Sequence, residues 1–267
     1  MSAEAIFRRE GELFHPTELA TSPWGADRLH GGPVAGLLVR AVEQEVASTE
    51  LITTRLTLDL FRVVPRAPLA VHSELVRRSA RMALVQVSVW HDGSELVRAS
   101  ALLLRPTEGG HSLPPTAATP SGPEGIETRA LMRAAPGQPP VRPGFHARVE
   151  TRWVPRTNDE PLAIWFRLPV PLIEGETPSA LQQLAAASDF ANAIPNIAAH
   201  TRGEPSSGYI NVDSTVYLTR RPVGEWYCLR ETHAAAASGI STAAVSLHDQ
   251  NGQVGQVLQA RLQNQMR

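Results

Sequence analysis

The feature that most constrains this chain is a repeat. A helix followed by four long strands occurs twice, at a constant spacing of 157 residues. Val64-Pro65 falls over Arg221-Pro222, each closing a strand, and His91-Asp92 falls over His248-Asp249, each leading into a hairpin turn. Beyond Asp249 the second turn reads one residue longer and the spacing becomes 158. Chance can produce any one of these matches, but a shared spacing that lands on equivalent elements points to internal duplication. A length of 267 residues accommodates two domains.

In the first half the helix starts after His30-Gly31-Gly32 and runs from Pro33 to about Ala47. Val34, Leu37, Leu38, Ala41 and Val42 recur at helical spacing, and a proline in the first turn gives up an N–H that has no intrahelical acceptor anyway. Strands are predicted over 51–64, 68–78, 82–91 and 95–105, with Asp92-Gly93 as a tight hairpin turn. In the second half 146–154 and 162–170 read as strands and 179–199 as a helical region with Pro195 late in it. Strands at 209–221, 225–233, 240–249 and 254–263 follow. Between the halves, 106–143 holds nine prolines among many Gly, Ser and Thr, which removes backbone donors and disfavours regular structure, apart from a short helix near 127–135. The expected organisation is an N-terminal domain over 1–106, a linker over 107–143 and a C-terminal domain over 144–267.

One helix wrapped by a curved antiparallel sheet buries an apolar helix on all sides, and two such units in one chain pair their sheets side by side. The expected fold class is therefore α+β, a double hotdog in which each curved antiparallel sheet wraps a central helix. Composition excludes several alternatives. All 25 basic residues are Arg, they are scattered, and the formal charge is −1, so there is no basic face for nucleic acid. The single cysteine, Cys228, rules out a disulfide within the chain and a Cys-based metal site, and its apolar neighbours make it a core residue. The nine His are dispersed without metal-ligand spacing. No Gly-x-Ser-x-Gly elbow, P-loop or dinucleotide fingerprint is present. With no apolar run of signal-peptide or membrane-spanning length, the expectation is a soluble, cytoplasmic protein. His91 and His248 read as exposed hairpin residues.

Four stretches resemble the bacterial acyl-CoA thioesterase II family and related double-hotdog thioesterases. They are Trp24 with His30-Gly31-Gly32-Pro33-Val34-Ala35, then Ala187-Ser188-Asp189-Phe190 with Pro195 beyond, then Ile210 to Val216 leading to Arg220, and finally Val257-Leu258-Gln259-Ala260-Arg261. The resemblance implies hydrolysis of an acyl-CoA thioester, with an Asp, a Gln and a hydroxyl residue orienting a water. Asp189 matches the Asp position and Gln259 the Gln position. The hydroxyl position, a Thr in the family, falls on Asn211, a departure that also motivates a second reading as a non-catalytic acyl-CoA or lipid-binding double hotdog. Hotdog hydratases carry a His about five residues after their Asp; here that residue is Ile194.

Thioester hydrolysis needs a water that is held and deprotonated, and donors already in place for the oxyanion. A carboxylate at a helix start is stabilised as the anion, and an amide such as Gln259 can hold the same water from another side. His30, Gly31 and Gly32 are the candidates for binding the oxyanion and substrate, because glycines allow close approach to exposed N–H groups. Arg220 or Arg221 are candidates for the CoA phosphates. No cofactor or metal is required, and a homodimer or higher homo-oligomer is expected because a double hotdog leaves sheet edges and helix surfaces that can pair again.

Overall fold

The computed structural model describes residues 4–48, 50–114, 118–132, 140–157, 160–204 and 208–264. The chain begins with β1 (Phe7–Glu10), β2 (Leu13–Pro16), the small hairpin β3 (Thr21–Ser22) and β4 (Gly25–Leu29), and helix α1 (Gly31–Val46). Next come β5 (Ile52–Leu60), β6 (Leu69–Arg78), β7 (Met82–His91) and β8 (Ser94–Leu104). After the Pro-rich segment follow α2 (Phe145–Arg148), β9 (Glu150–Trp153), β10 (Ala163–Arg167), α3 (Ala180–Ser188), a 3₁₀ turn over Asp189–Asn192, and α4 (Ile194–Thr201). The chain closes with β11 (Tyr209–Asn211), β12 (Asp213–Leu218), β13 (Tyr227–Ala237), β14 (Ile240–Asp249) and β15 (Gly252–Gln263).

Thirteen of these strands form one antiparallel sheet in the order β1-β2-β6-β7-β8-β5-β12-β15-β14-β13-β10-β9, with β11 also on β15. The order is the same read from either end, as two fused copies of one unit require. The seam is β5 against β12, where Thr57 faces Thr215 and their hydroxyls hydrogen bond at 3.3 Å. Around that pair Met82 corresponds to Ile240 and Ser94 to Gly252, so the strands repeat at 158, not at the 157 read from the loops. The difference matters because side chains alternate with a period of two: a one-residue slip would turn every buried side chain of a strand outward. Loops are free to gain or lose a residue, which is why they misreport the register.

Helix α1 forms where periodicity places it. His30 stands at the N-cap position of its start and Ala47, in the left-handed region at φ 45°, ends it. Val34, Leu37, Leu38, Val39 and Val42 are all at most 1% exposed, because the helix lies in the hollow of the first half-sheet and packs on α3 along its remaining side. Burial of each such side chain contributes roughly 1.5–3 kcal/mol. Arg40, also buried, is held by two 2.6 Å bonds to the Glu176 carboxylate. The turn at Asp92-Gly93 has both residues at positive φ, 47° and 70°, as a two-residue hairpin turn demands.

Four expectations need correction. Residues 146–148 are helical, in α2, and the strand starts only at Glu150. The helical region is broken rather than continuous, and Pro195 sits in the first turn of α4 rather than late in a helix. Of the short helix near 127–135, residues 133–135 lie outside the described residues; the rest is extended, with Thr128 bridging Arg152 beside β9. His248 is fully buried rather than exposed, because it pairs with Cys228 on the face of the sheet that also carries Trp165, where the Pro-rich segment lies against the sheet through the Trp165 bond to the Ser121 carbonyl, and its ring meets Ser246 Oγ at 3.0 Å. Burial, then the charge of Arg230, push its pKa down to about 4. Cys228 is buried, as its neighbours suggested.

Both ends of the sheet are covered. Residues 171–174 lie along β1 through Phe7, and Arg129 bonds Thr151 on β9. No helix among the described residues is long and apolar enough to cross a membrane. At Gly255 a Cβ would overlap the Tyr217 carbonyl across the β12–β15 ladder. Gly255→Ala should therefore cost about 1–3 kcal/mol of stability, read as a lower urea midpoint with an unchanged slope.

Candidate active site

The site is built where the start of α1 meets the end of α3. Helix α3 ends at Ser188, and Pro195 stands in the first turn of the next helix, where its missing N–H costs no intrahelical bond. The chain tightens into the 3₁₀ turn, Ser188 bonds back to the Ala185 carbonyl at 2.8 Å, and Asp189 is turned towards α1. On the other side, glycine lets α1 come close. A Cβ on Gly32 would lie 2.6 Å from the Ala186 carbonyl oxygen, and one on Gly31 2.6 Å from Asp189 Oδ1.

Asp189 and His30 each keep only 13% of their side-chain surface exposed. His30 Nδ1 lies 2.9 Å from Asp189 Oδ2 and 3.2 Å from the Gly32 nitrogen. One ring nitrogen cannot donate and accept at once. The carboxylate only accepts, so the proton belongs on Nδ1 and the Gly32 N–H serves the carboxylate instead of the ring. Asn211 Nδ2 donates to Asp189 Oδ1 at 3.0 Å. Burial raises the pKa of this carboxyl, but the bonds from His30, Asn211 and Gly32 outweigh it and hold the group below its ordinary value. The acid is thus an anion gripped by donors from both halves of the chain.

Gln259 is 2% exposed on the inner face of β15, and its Nε2 donates to Ser214 Oγ at 3.3 Å. Its Oε1 is buried without a hydrogen-bond partner among the described residues. Two residues further on, Arg261 donates to the Asn192 carbonyl at the end of the 3₁₀ turn and to Ser241 Oγ, tying β15 to the element that carries Asp189. Arg261, Ser214 and Asn192 were not singled out from the sequence; a buried Arg flanked by Gln and Ala gives no pattern to find. An aromatic wall was missed too. His30 stands 5.1 Å from the Phe145 ring and 4.8 Å from Phe190, and Phe190 stacks on Phe145 and Phe166. His146 sits nearby with its pKa pushed down to about 4, by burial first and then by His30.

The two candidate arginines are elsewhere. Arg220 is bound at 2.5 and 2.7 Å to both oxygens of Asp249 and also donates to the Gly252 carbonyl, so it pins the β14–β15 turn and both of its terminal nitrogens are engaged. Arg221 donates to the Leu51 carbonyl at 2.7 Å and lines a cavity of about 220 Å³ at the opposite end of α1, with Glu43, Val46, Leu103 and Leu181. No cluster of His, Cys, Asp and Glu among the described residues could hold a metal.

The sequence signature of the acyl-CoA thioesterase C-terminal domain matches residues 114–262, and that of the N-terminal domain matches residues 20–104. The chain belongs to the acyl-CoA thioesterase family. Membership makes it a thioester hydrolase by class. Comparison with curated protein sequences finds no match. Among solved structures it resembles a Thermobifida fusca protein assigned as a thioesterase II, with 20% identity, 99% of this chain and 96% of that one covered, and a TM-score of 0.71. An acyl-CoA thioesterase II of Mycobacterium marinum aligns at 17% identity over 96% and 94% of the two chains, with a TM-score of 0.68. A hot dog fold protein of Alicyclobacillus acidocaldarius aligns at 17% over 97% and 95%, with a TM-score of 0.70. These likenesses establish the double hotdog fold.

The lowered pKa of Asp189 has a signed consequence. A carboxyl with a depressed folded pKa contributes stability above its unfolded value, near 4, and loses it as pH falls through the folded value. Equilibrium unfolding of wild type and Asp189→Asn should differ most at neutral pH, and the difference should shrink below about pH 4.

Proposed function

We propose that this thioesterase hydrolyses acyl-CoA at the junction of α1 and the 3₁₀ turn, with Asp189, Gln259 and Asn211 organising the attacking water. What carries the reading is the convergence on one carboxylate of His30 and Gly32 from the first half and Asn211 from the second. Each carboxylate oxygen has two lone pairs, so Asp189 can accept a water proton beside the bonds it already makes. Gln259 is supported by its unpartnered Oε1, since a buried amide oxygen without a donor is a place for a bound water. Asn211 does the work of a hydroxyl residue by fixing Asp189, which weighs against the purely binding alternative.

For the oxyanion, the Gly31 N–H is the better donor of the two glycines, because the Gly32 N–H is already engaged by its neighbours. A first-turn N–H has no intrahelical acceptor and lies at the positive end of the helix dipole. The ring wall of Phe145, Phe166 and Phe190 would give the acyl group apolar surface. Arg221 remains the candidate for CoA phosphates, and Arg220 does not. We also propose a homodimer or higher oligomer. Sheet edges are not the means, since both are covered. The outer face of β11, β14 and β15 instead shows Ile210, Ile240, Leu258 and Leu262 in adjoining positions, all exposed.

Free-thiol release from saturated, branched and aromatic acyl-CoAs of increasing length tests the reaction. Wild type should turn over at least one member, and Asp189→Asn should reduce kcat/KM at least about tenfold with the fold intact. Undiminished turnover in Asp189→Asn would remove this site from the reaction.

A further inference from the structure

We infer that His30 is the general base of this site, taking the proton from the attacking water at Nε2 while Asp189 holds the ring through Nδ1. The inference rests on thioester hydrolysis at this site and adds the group that moves the proton. Three observations lead to it.

Asp189 is poorly suited to take a proton itself. It receives donors from His30, Asn211 and Gly32, and each of these bonds favours the anion and would weaken on protonation. A carboxylate so satisfied orients groups well but is a weak base. Imidazole is the side chain whose ordinary proton affinity suits transfer near neutral pH.

The ring of His30 is held as a base must be held. Nδ1 faces the carboxylate at 2.9 Å, which puts the proton there and leaves Nε2 with its lone pair. Phe145 and Phe190 flank the ring at 5.1 and 4.8 Å and restrict its rotation. Nε2 makes no hydrogen bond to any described residue, so its acceptor position is open. The titratable groups facing the ring are Asp189 from the 3₁₀ turn and His146 from α2. His146 has its Nε2 against the Arg142 carbonyl and is kept neutral by burial, so it does not compete for the proton.

Position completes the case. His30 is the N-cap residue of α1 and immediately precedes Gly31, so the base and the first-turn N–H that would receive the oxyanion are neighbours in the chain at the helix start. In the step, Nε2 takes one water proton and the water oxygen bonds to the thioester carbonyl carbon. The carbonyl π pair moves onto oxygen. The oxyanion then collapses, the C–S bond breaks with its pair on sulfur, and the Nε2 proton passes to the thiolate. The products are the free acid, the thiol and His30 as it began. Only water and thioester are consumed.

The test uses the full chain, the same acyl-CoA panel, and the variants His30→Asn and His30→Ala. Asn is favoured at the N-cap position and can still donate to Asp189, so it should fold like wild type while transferring no proton. His30→Asn should lower kcat about 100-fold with KM little changed. His30→Ala should regain activity with added free imidazole, in proportion to its unprotonated form. A purely structural His30 would shift the melting temperature and give no imidazole rescue. Wild-type turnover with His30→Asn within about threefold of it, or no rescue of His30→Ala, overturns the inference and leaves thioester hydrolysis standing. No turnover by wild type on any member overturns both.

Discussion

Everything at the site depends on how closely α1 can approach α3. The contact is backbone against backbone, with Gly32 beside the Ala186 carbonyl and Gly36 beside that of Gln182. Were these positions occupied by side chains, the helices would stand further apart and His30 would lose its reach to Asp189. The glycines are costly in chain entropy, about 0.5–1 kcal/mol each in a helix interior. That cost is offset because α1 is buried on nearly every side and is stabilised by packing more than by helix propensity. The packing between the two helices is therefore what turns a cap residue of one half and a turn residue of the other into a pair.

The same closeness gives the site its electrostatic character. A carboxylate with little exposure is costly unless donors replace its water. Here they come from an imidazole, an amide and a helix N–H, all neutral or shareable groups, rather than from an Arg. The anion is thus stabilised without being neutralised by a full permanent charge. Arg261, the nearest buried guanidinium tied to the turn, spends its donors on the Asn192 carbonyl and Ser241 instead. Its effect is to brace the turn from behind.

Much of this was legible in the chain. Helix α1, the four strands after it and the hairpin at Asp92-Gly93 follow from periodicity and turn chemistry, because each is a local matter. Asp189, Asn211 and Gln259 were found by resemblance, and the first two do meet in space. What the sequence hid is what depends on register and tertiary contact. His248 is buried because the Pro-rich segment covers the face it shares with Cys228 and Trp165, a long-range contact that no local pattern announces. Pro195 was visible, but a proline late in a helical stretch fits the end of one helix as well as the first turn of the next, and the structure places it in the first turn of α4. His30 read as a loop or oxyanion residue because nothing in one half of a chain announces a carboxylate supplied by the other.

The register of 158 explains why one chain builds one such site and not two. An approximate twofold axis passes by Thr57 and Thr215, so each functional group has a counterpart across it: Asp189 has Gly31, Gln259 has Ala101, and Asn211 falls near Thr53. Near the axis counterparts are also neighbours, and Asp189 and Gly31 are in contact. Two carboxylates there would repel each other across a buried gap, and any side chain on Gly31 would collide with the acid. With the acid on one half, glycine on the other avoids both the clash and the repulsion and leaves a backbone N–H facing the acid. The asymmetry of the two halves is a steric and electrostatic consequence of placing a buried anion near the symmetry axis.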